Sequence, residues 1–439
     1  MNKKLIALAV ASLISVPAFA AGSEVQFYGM LDAGVDSTTN VGTNAAGTAS
    51  ATNNVGRVSD YGSYFGLKGS EDLGNGLSGI WQIEQGVSVN GGNTNNSTTP
   101  AGGPAWYGSN SAFGANPYNN QRNTFVGLSS QSAGTVLVGI HDSPYKMSTA
   151  QMDPFADTLG DYNGLVGSFS QAGNVGTGLM GGAGASGYFD LRPSQVLAYV
   201  SPNMSGLTVV GAYVFGNATN VGAPGTVNGL NGQPYAANSS GDAYSLAAMY
   251  TAGPLYLTAS YEQHDFGAPN TGSLAIGGLA GQSNSAYKLG AAYSIMDTTL
   301  SLLYENSSDN FGTNGSNLLG HDTWYASLKH SMGAWDIALA YANAGSDNVY
   351  SGANQALVNG VTHQQTLSSG TSDGAQQWTI GGDYNFSKNT QVYALYTEIS
   401  NDAGAMYNFA DTTNPAAMIG NSVVGANISA VSLGIKHTF

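Results

Sequence analysis

The chain has 439 residues, with 11 Lys and Arg against 26 Asp and Glu, and it contains no cysteine. A net charge of −15 argues against a nucleic-acid partner, and the missing thiols exclude disulfides and thiolate metal sites. Charged residues make up only 8% of the chain, yet 25 Tyr, 14 Phe and 5 Trp accompany 62 glycines, a mix that favours many strands and turns over a disordered coil.

The first element is a leader. "MNKK" supplies a basic start at Lys3 and Lys4, "LIALAVASLISVPAF" an apolar stretch, and "AFA" small residues at Ala18 and Ala20. The pattern predicts a secretory signal peptide over residues 1–20, cut before Ala21, with a single domain over residues 21–439. The apolar stretch is shorter than the ~20 residues a spanning helix needs. No later apolar run reaches that length.

After the leader, short segments alternate. "LYLTASYE" sets Leu255, Leu257, Ala259 and Tyr261 against Tyr256, Thr258, Ser260 and Glu262; "YKLGAAYSI" sets Tyr287, Leu289, Ala291, Tyr293 and Ile295 against Lys288, Gly290, Ala292 and Ser294. "LSLLYEN" and "WDIALAYAN" repeat the theme, and the terminal "VSLGIKHTF" places Val431, Leu433, Ile435, His437 and Phe439 opposite Ser432, Gly434, Lys436 and Thr438. Successive side chains leave a strand on opposite faces, so period two means strands. Tight connections such as "EDLGNG" and "SMGA" alternate with long ones rich in Gly, Asn, Ser and Thr. That wiring predicts an antiparallel up-and-down β-barrel of about 16 strands on the scale that crosses a bilayer. Small and polar side chains cannot fill the centre of so wide a barrel. The apolar and aromatic face is therefore assigned to lipid and the small, polar face to the interior. An enclosed polar interior in an outer-membrane barrel predicts a channel, with outer-membrane lipid as the surrounding partner.

Four stretches carry a resemblance: "EVQFYGMLDAGV", "SYFGLKGSEDLGNGLSGIWQIEQGV", "NTFVGLSSQSAGTVLVGIHDSPY" and the terminal "VSLGIKHTF". Through them the whole chain beyond the leader resembles the trimeric, sixteen-stranded general diffusion porins of Gram-negative bacteria, of β-proteobacterial type. The resemblance implies a homotrimer in the outer membrane that passes ions and small hydrophilic solutes without energy input. It also implies that the terminal Phe439 is a signal for the barrel-assembly machinery, and that a long third loop folds into the lumen as the constriction. Here that loop follows Ile140, runs to about Arg192, and carries Asp142, Asp153, Asp157 and Asp161 as candidate constriction acids.

The family sets arginines on the wall opposite this loop. This chain departs from the pattern, with Gly139, Ile140 and His141 where relatives read Gly-Arg-Gln, and only Arg57, Arg122 and Arg192 in all. Strand parity turns Lys68, Lys288, Lys329 and Lys436 inward, together with Asp32, Glu84, Glu262, Glu305, Asp336, Asp383 and His141. Asp32, Lys68, Glu84, His141, Glu262, Lys288 and Glu305 are the candidate lumen wall. The thin basic lining leads us to expect weak cation selectivity.

Other motifs carry less. "GTSDG" around Ser372 matches an esterase pattern without the strand–turn–helix it needs, and "GTGLMG" at 176–181 matches a nucleotide-loop pattern inside the long loop. The six histidines lack metal-ligand spacing, so no metal, cofactor or catalytic residue is expected. A phosphate- or sugar-selective channel, a barrel enzyme and an adhesin with a plugged lumen are the alternative readings. The scarcity of bases also suggests a host living at low pH, where a wall dense in cations would repel itself.

Overall fold

The structure, a computed structural model, describes residues 24–41, 53–87, 89, 122–168, 189–215, 242–265, 282–310, 315–317, 319–346, 357–358, 361–362, 372–405, 407–409 and 425–439. The expected leader and "GTGLMG" lie outside them.

The strands are β1 (Glu24–Val41), β2 (Asn53–Asp60), β3 (Tyr64–Gly74), β4 (Leu77–Gly86), β5 (Thr124–Ser130), β6 (Gly134–Ile140), β7 (Val196–Val200), β8 (Leu207–Val214), β9 (Ala243–Ala252) and β10 (Leu255–Asp265). They continue with β11 (Ser283–Ile295), β12 (Thr298–Asp309), β13 (Asp322–Met332), β14 (Trp335–Ala344), β15 (Leu357–Val358), β16 (Val361–Thr362), β17 (Ala375–Asn385), β18 (Thr390–Asn401) and β19 (Asn427–Thr438). β15 and β16 pair only with each other; the rest form one 17-stranded antiparallel sheet. β2 and β3 both pair with β1, end to end, so they are two halves of one stave and the barrel has sixteen. β19 closes the ring on β1, from Met30↔Thr438 to Val41↔Asn427. Closure leaves no edge of unpaired backbone groups, which hydrocarbon would penalise.

The stave breaks at Tyr61, Gly62 and Ser63. The Asp60 carboxylate accepts from Ser63 N at 3.0 Å, and Ser63 Oγ accepts from Asp32 N at 2.9 Å. Gly62 has φ +75°, a left-handed backbone that glycine adopts without a Cβ clash.

Two-residue alternation separates the faces as the sequence predicts. Val25, Phe27, Leu31 and Val35 are exposed, while Asp32, Asp36 and Thr38 between them are buried. On β10, Leu257 and Tyr261 are exposed, and Thr258, Ser260, Glu262 and His264 are buried. The interior is drier on one side than an all-polar inner face implies. The Ala-rich inner face of β14 (Ala338, Ala340, Ala342, Ala344) joins Leu303, Leu395 and Ile399 in one apolar cluster with Phe155, Leu159, Leu165 and Val166. These last four belong to the segment that follows β6. Small wall residues are packed not by each other but by an inserted piece of chain.

A candidate constriction inside the barrel

The segment after β6 turns inward at once. "SPYKMST" is a helix start: Ser143 caps it, its Oγ accepting from Lys146 N at 3.2 Å, and Pro144 sits in the first turn. Helix α1 (Pro144–Thr149) and the 3-10 turn Ala150–Met152 then lie along the inner faces of β9–β13. Tyr145 N donates to Ser245 Oγ at 3.0 Å, and the Ser148 and Ser260 hydroxyls are 2.9 Å apart. Tyr256 OH donates to Ser148 O, and Ser327 Oγ to Met152 O, each at 2.7 Å. Further on, Thr379 Oγ1 donates to Gly160 O at 3.3 Å.

The four candidate acids of this segment separate into three environments. Asp142 lies at the root in a cluster of cations: Arg192 Nε is 3.1 Å and Lys146 Nζ 3.2 Å from its Oδ1, and Asn123 Nδ2 donates to Oδ2 at 3.0 Å. Burial alone would raise its pKa, but Arg192 and Lys146 outweigh it and hold the carboxyl well below the usual range. Asp153 and Asp161 are buried knots of the segment itself. Asp153 accepts from Phe155 N (3.0 Å), Tyr325 OH (2.9 Å) and Tyr162 N (2.9 Å); Asp161 accepts from Asn163 N (2.8 Å) and Asp157 N (2.9 Å). Burial pushes Asp153 up to about 6, and burial with the nearby Asp153 charge raises Asp161 well above the usual carboxylate range. Asp157 is half-buried, with φ +59°. A Cβ added to Gly62 would lie 3.7 Å from both Asp157 Oδ1 and Arg122 Nη1, so both side chains border the break in the β2–β3 stave. Of the four acids, only Asp157 is not drawn into a buried cluster.

The candidate wall residues face inward as parity predicts, but most are covered. Asp32, Glu262, Lys288 and Glu305 are fully buried, and Glu84 is nearly so. Glu84 accepts from Arg122 Nε at 2.6 Å and Tyr28 OH at 3.0 Å. Lys68 stays partly exposed, 5.0 Å from the centre of the Tyr28 ring. His141 is a correction: it is buried rather than water-lining, with its ring 5.4 Å from that of Phe125 and Nδ1 2.8 Å from Asp142 O. Burial pushes its pKa below the usual value, so it is neutral.

The basic lining is richer than counting arginines implies. Arg57 pairs with Asp36, Arg122 with Glu84, Lys146 and Arg192 with Asp142, Lys329 with Asp336 and Lys436 with Asp32. In every one of these pairs the base is the more exposed partner: side-chain exposures are 17% against 0% for Arg57–Asp36, 21% against 7% for Arg122–Glu84 and 20% against 0% for Lys436–Asp32. Within these pairs the base is therefore more accessible than the acid it neutralises. Sequence reading missed Lys146 and the opposition of Arg122 to the inserted segment; the Ser-Pro helix start was the available signal for the first.

The esterase-like serine finds no catalytic partners among the described residues. Ser372 Oγ donates to Asp402 and lies 2.5 Å from Ser346 Oγ, with neither a helix nor a histidine among these partners. Among the described residues no group of three His, Asp or Glu could hold a metal.

A family profile described as Gram-negative porin matches residues 7–431. The major outer membrane protein P.IB of Neisseria meningitidis serogroup B is 36% identical over 165 residues, which are 38% of this chain and 40% of that protein. The P.IB protein of Neisseria gonorrhoeae is 34% identical over 166 residues, 38% of this chain and 39% of that protein. The chain thus spans about two fifths of the length of these curated relatives. Among solved structures, an anion-selective porin from Comamonas acidovorans superposes with a TM-score of 0.64 at 22% identity, covering 95% of this chain and 100% of that one. The trimer form of OmpT from Vibrio cholerae superposes with a TM-score of 0.54 at 14% identity, covering 96% and 100%. The profile match over nearly the whole length and the closed sixteen-stave barrel lead to one conclusion: the chain belongs to the Gram-negative porin family, proteins of the outer membrane.

Proposed function

We propose that the protein is a passive channel through which ions and small hydrophilic solutes diffuse. The single observation that carries this reading is the inverted barrel: apolar side chains outside, with ionic and hydroxyl side chains inside beside the apolar cluster that seats the inserted segment. The inserted segment narrows the interior, and the gap between Asp157 and the Arg122–Lys436 side of the wall is the constriction. No covalent step belongs to this function. Purified protein in a planar bilayer should give stepwise conductance; none at all would end the channel reading.

Selectivity follows from which charges meet water. The expectation of weak cation preference rested on the thin basic lining, but in six ion pairs the base is more exposed than its acid. We therefore assign a weak preference for anions. The Comamonas acidovorans porin of similar fold is anion-selective, which supports the same sign. The zero-current potential in a salt gradient decides it.

The chain acts as a homotrimer after removal of its leader, with Phe439 offered to the assembly machinery. Phe439 is outward and exposed, its ring 5.5 Å from that of Phe27. Support for self-association comes from an uneven girdle. Tyr199, Tyr244, Tyr261, Tyr293, Trp324, Trp335, Trp378 and Tyr396 are exposed on β7–β18, as a lipid interface favours. The exposed large side chains of β1–β6 are aliphatic apart from Phe27, among them Val35, Val58, Ile83, Val126, Leu128 and Val138. That aliphatic sector is the face we assign to the neighbouring copies.

A further inference from the structure

Far from the constriction, two wall residues gather distant parts of the inserted segment. Lys288 on β11 and Glu305 on β12 are register partners, and both are fully buried. Glu305 Oε2 accepts from Tyr145 OH at 2.7 Å, and its two oxygens accept from Gly167 N at 2.8 and 3.0 Å. Lys288 Nζ pairs with Asp190, lies 3.8 Å from Glu305 Oε2, and donates to Thr149 Oγ1 at 3.4 Å. It also sits 4.2 Å from the centre of the Tyr145 ring and 5.5 Å from that of Tyr162. Asp190 in turn accepts from Asn163 Nδ2 at 2.6 Å. The start, the middle and the return of the segment therefore converge on one pair of side chains.

Other tethers include single bonds between neutral groups or to backbone, such as Ser148–Ser260 and Ser327–Met152, and one from Tyr325 OH to the Asp153 carboxylate. The Lys288–Glu305 pair differs in kind. Both charges are withdrawn from water while the segment is docked, and each takes partners from it. Lifting the segment strips Glu305 of three accepted hydrogen bonds and Lys288 of its Asp190 partner. These contacts are charge-assisted, and Tyr145, Gly167 and Asp190 must all keep hydrogen-bonding geometry at once, so the docked position is held over a narrow range.

We propose that Lys288 and Glu305 are positioning residues that set the width of the conducting path by locking the inserted segment against the wall. They touch no solute; they act through the segment that carries Asp157. This rests on the channel reading, and it predicts that loosening the lock widens and destabilises the open state while the barrel stays intact.

The test is single-channel recording of the wild type, Glu305→Gln and Lys288→Met. Gln keeps an acceptor for Tyr145 but loses the charge; Met keeps the volume of Lys. Both variants should show a conductance raised by about half or more, with a noisier open state, at unchanged barrel circular dichroism. The chain has no cysteine, so a Ser148→Cys/Ser260→Cys pair can be added without competition. Hydroxyls 2.9 Å apart mark a site within disulfide reach. Oxidation of that pair should return the Glu305→Gln channel to wild-type conductance and quiet, and reduction should undo this. Wild-type conductance and noise in both folded variants would overturn the proposal, as would a widened channel that the disulfide leaves unchanged. A wild type without conductance steps would instead overturn the channel reading itself. If Glu305→Gln fails to fold, Lys288→Met with the same disulfide pair carries the test alone.

Discussion

Gly29 shows how little room single residues have in this wall. Gly29 N donates to Phe439 O, and Phe439 N to Gly29 O, both at 3.0 Å, which completes the seam between the chain's two ends. A Cβ at Gly29 would lie 2.5 Å from Phe439 Cζ and 2.8 Å from Tyr64 O. Gly29→Val should therefore displace the terminal ring and cost about 1–3 kcal/mol, as overpacking does. A lowered temperature for the heat-induced gel shift of the folded barrel is the expected readout. Asp157→Asn tests the constriction at the same scale. Removing that carboxylate should move the zero-current potential further toward anions with the barrel unaltered. An unmoved potential would take Asp157 out of the conducting path.

At the scale of the element, the inserted segment answers to pH in two opposite ways. Asp142, held low by Arg192 and Lys146, contributes stability that is present above the ordinary carboxylate range and lost only as pH falls through its depressed value, in strong acid. Asp153 and Asp161 are raised by burial, so the docked segment binds more protons than a released one. Their burial as charged groups costs stability above about 6, and that cost disappears as pH falls through the raised values toward the ordinary carboxylate range. The segment should thus be held harder at pH 5 than at pH 8. Amide hydrogen exchange over residues 150–165, corrected for the intrinsic pH dependence, should show greater protection at pH 5, and Asp153→Asn should flatten the difference. Equal protection at both values would remove these acids from the control of docking. In the sequence, the four aspartates of this loop look alike. What separates them is whether a base, a backbone turn or open space comes to meet each one.

At the scale of the molecule, exposed Tyr and Trp concentrate on β7–β18, among aliphatic residues, while the exposed large side chains of β1–β6 are aliphatic apart from Phe27. Val126→Trp or Val138→Trp should overpack the contact between copies and lower the temperature at which the trimer dissociates. Leu257→Trp or Leu302→Trp, facing lipid, should not. Lowering by the second pair but not the first would reverse the assignment of the faces.

The alternation along each strand was legible from the residues alone, because period two is a local property and lipid rewards the same choice at every crossing. Stave number, strand faces and the inward turn of Lys68, Lys288 and Glu305 follow from it. The interior was not legible in the same way. Tyr145 and Glu305 are 160 positions apart, and Arg122 and Glu84 are 38 apart. Nothing local to Lys288 distinguishes a water-facing cation from one sealed beneath a loop. Which charges are spent on holding that loop and which remain to meet a solute was decided only when the barrel closed, because closure alone brings those side chains within hydrogen-bonding reach.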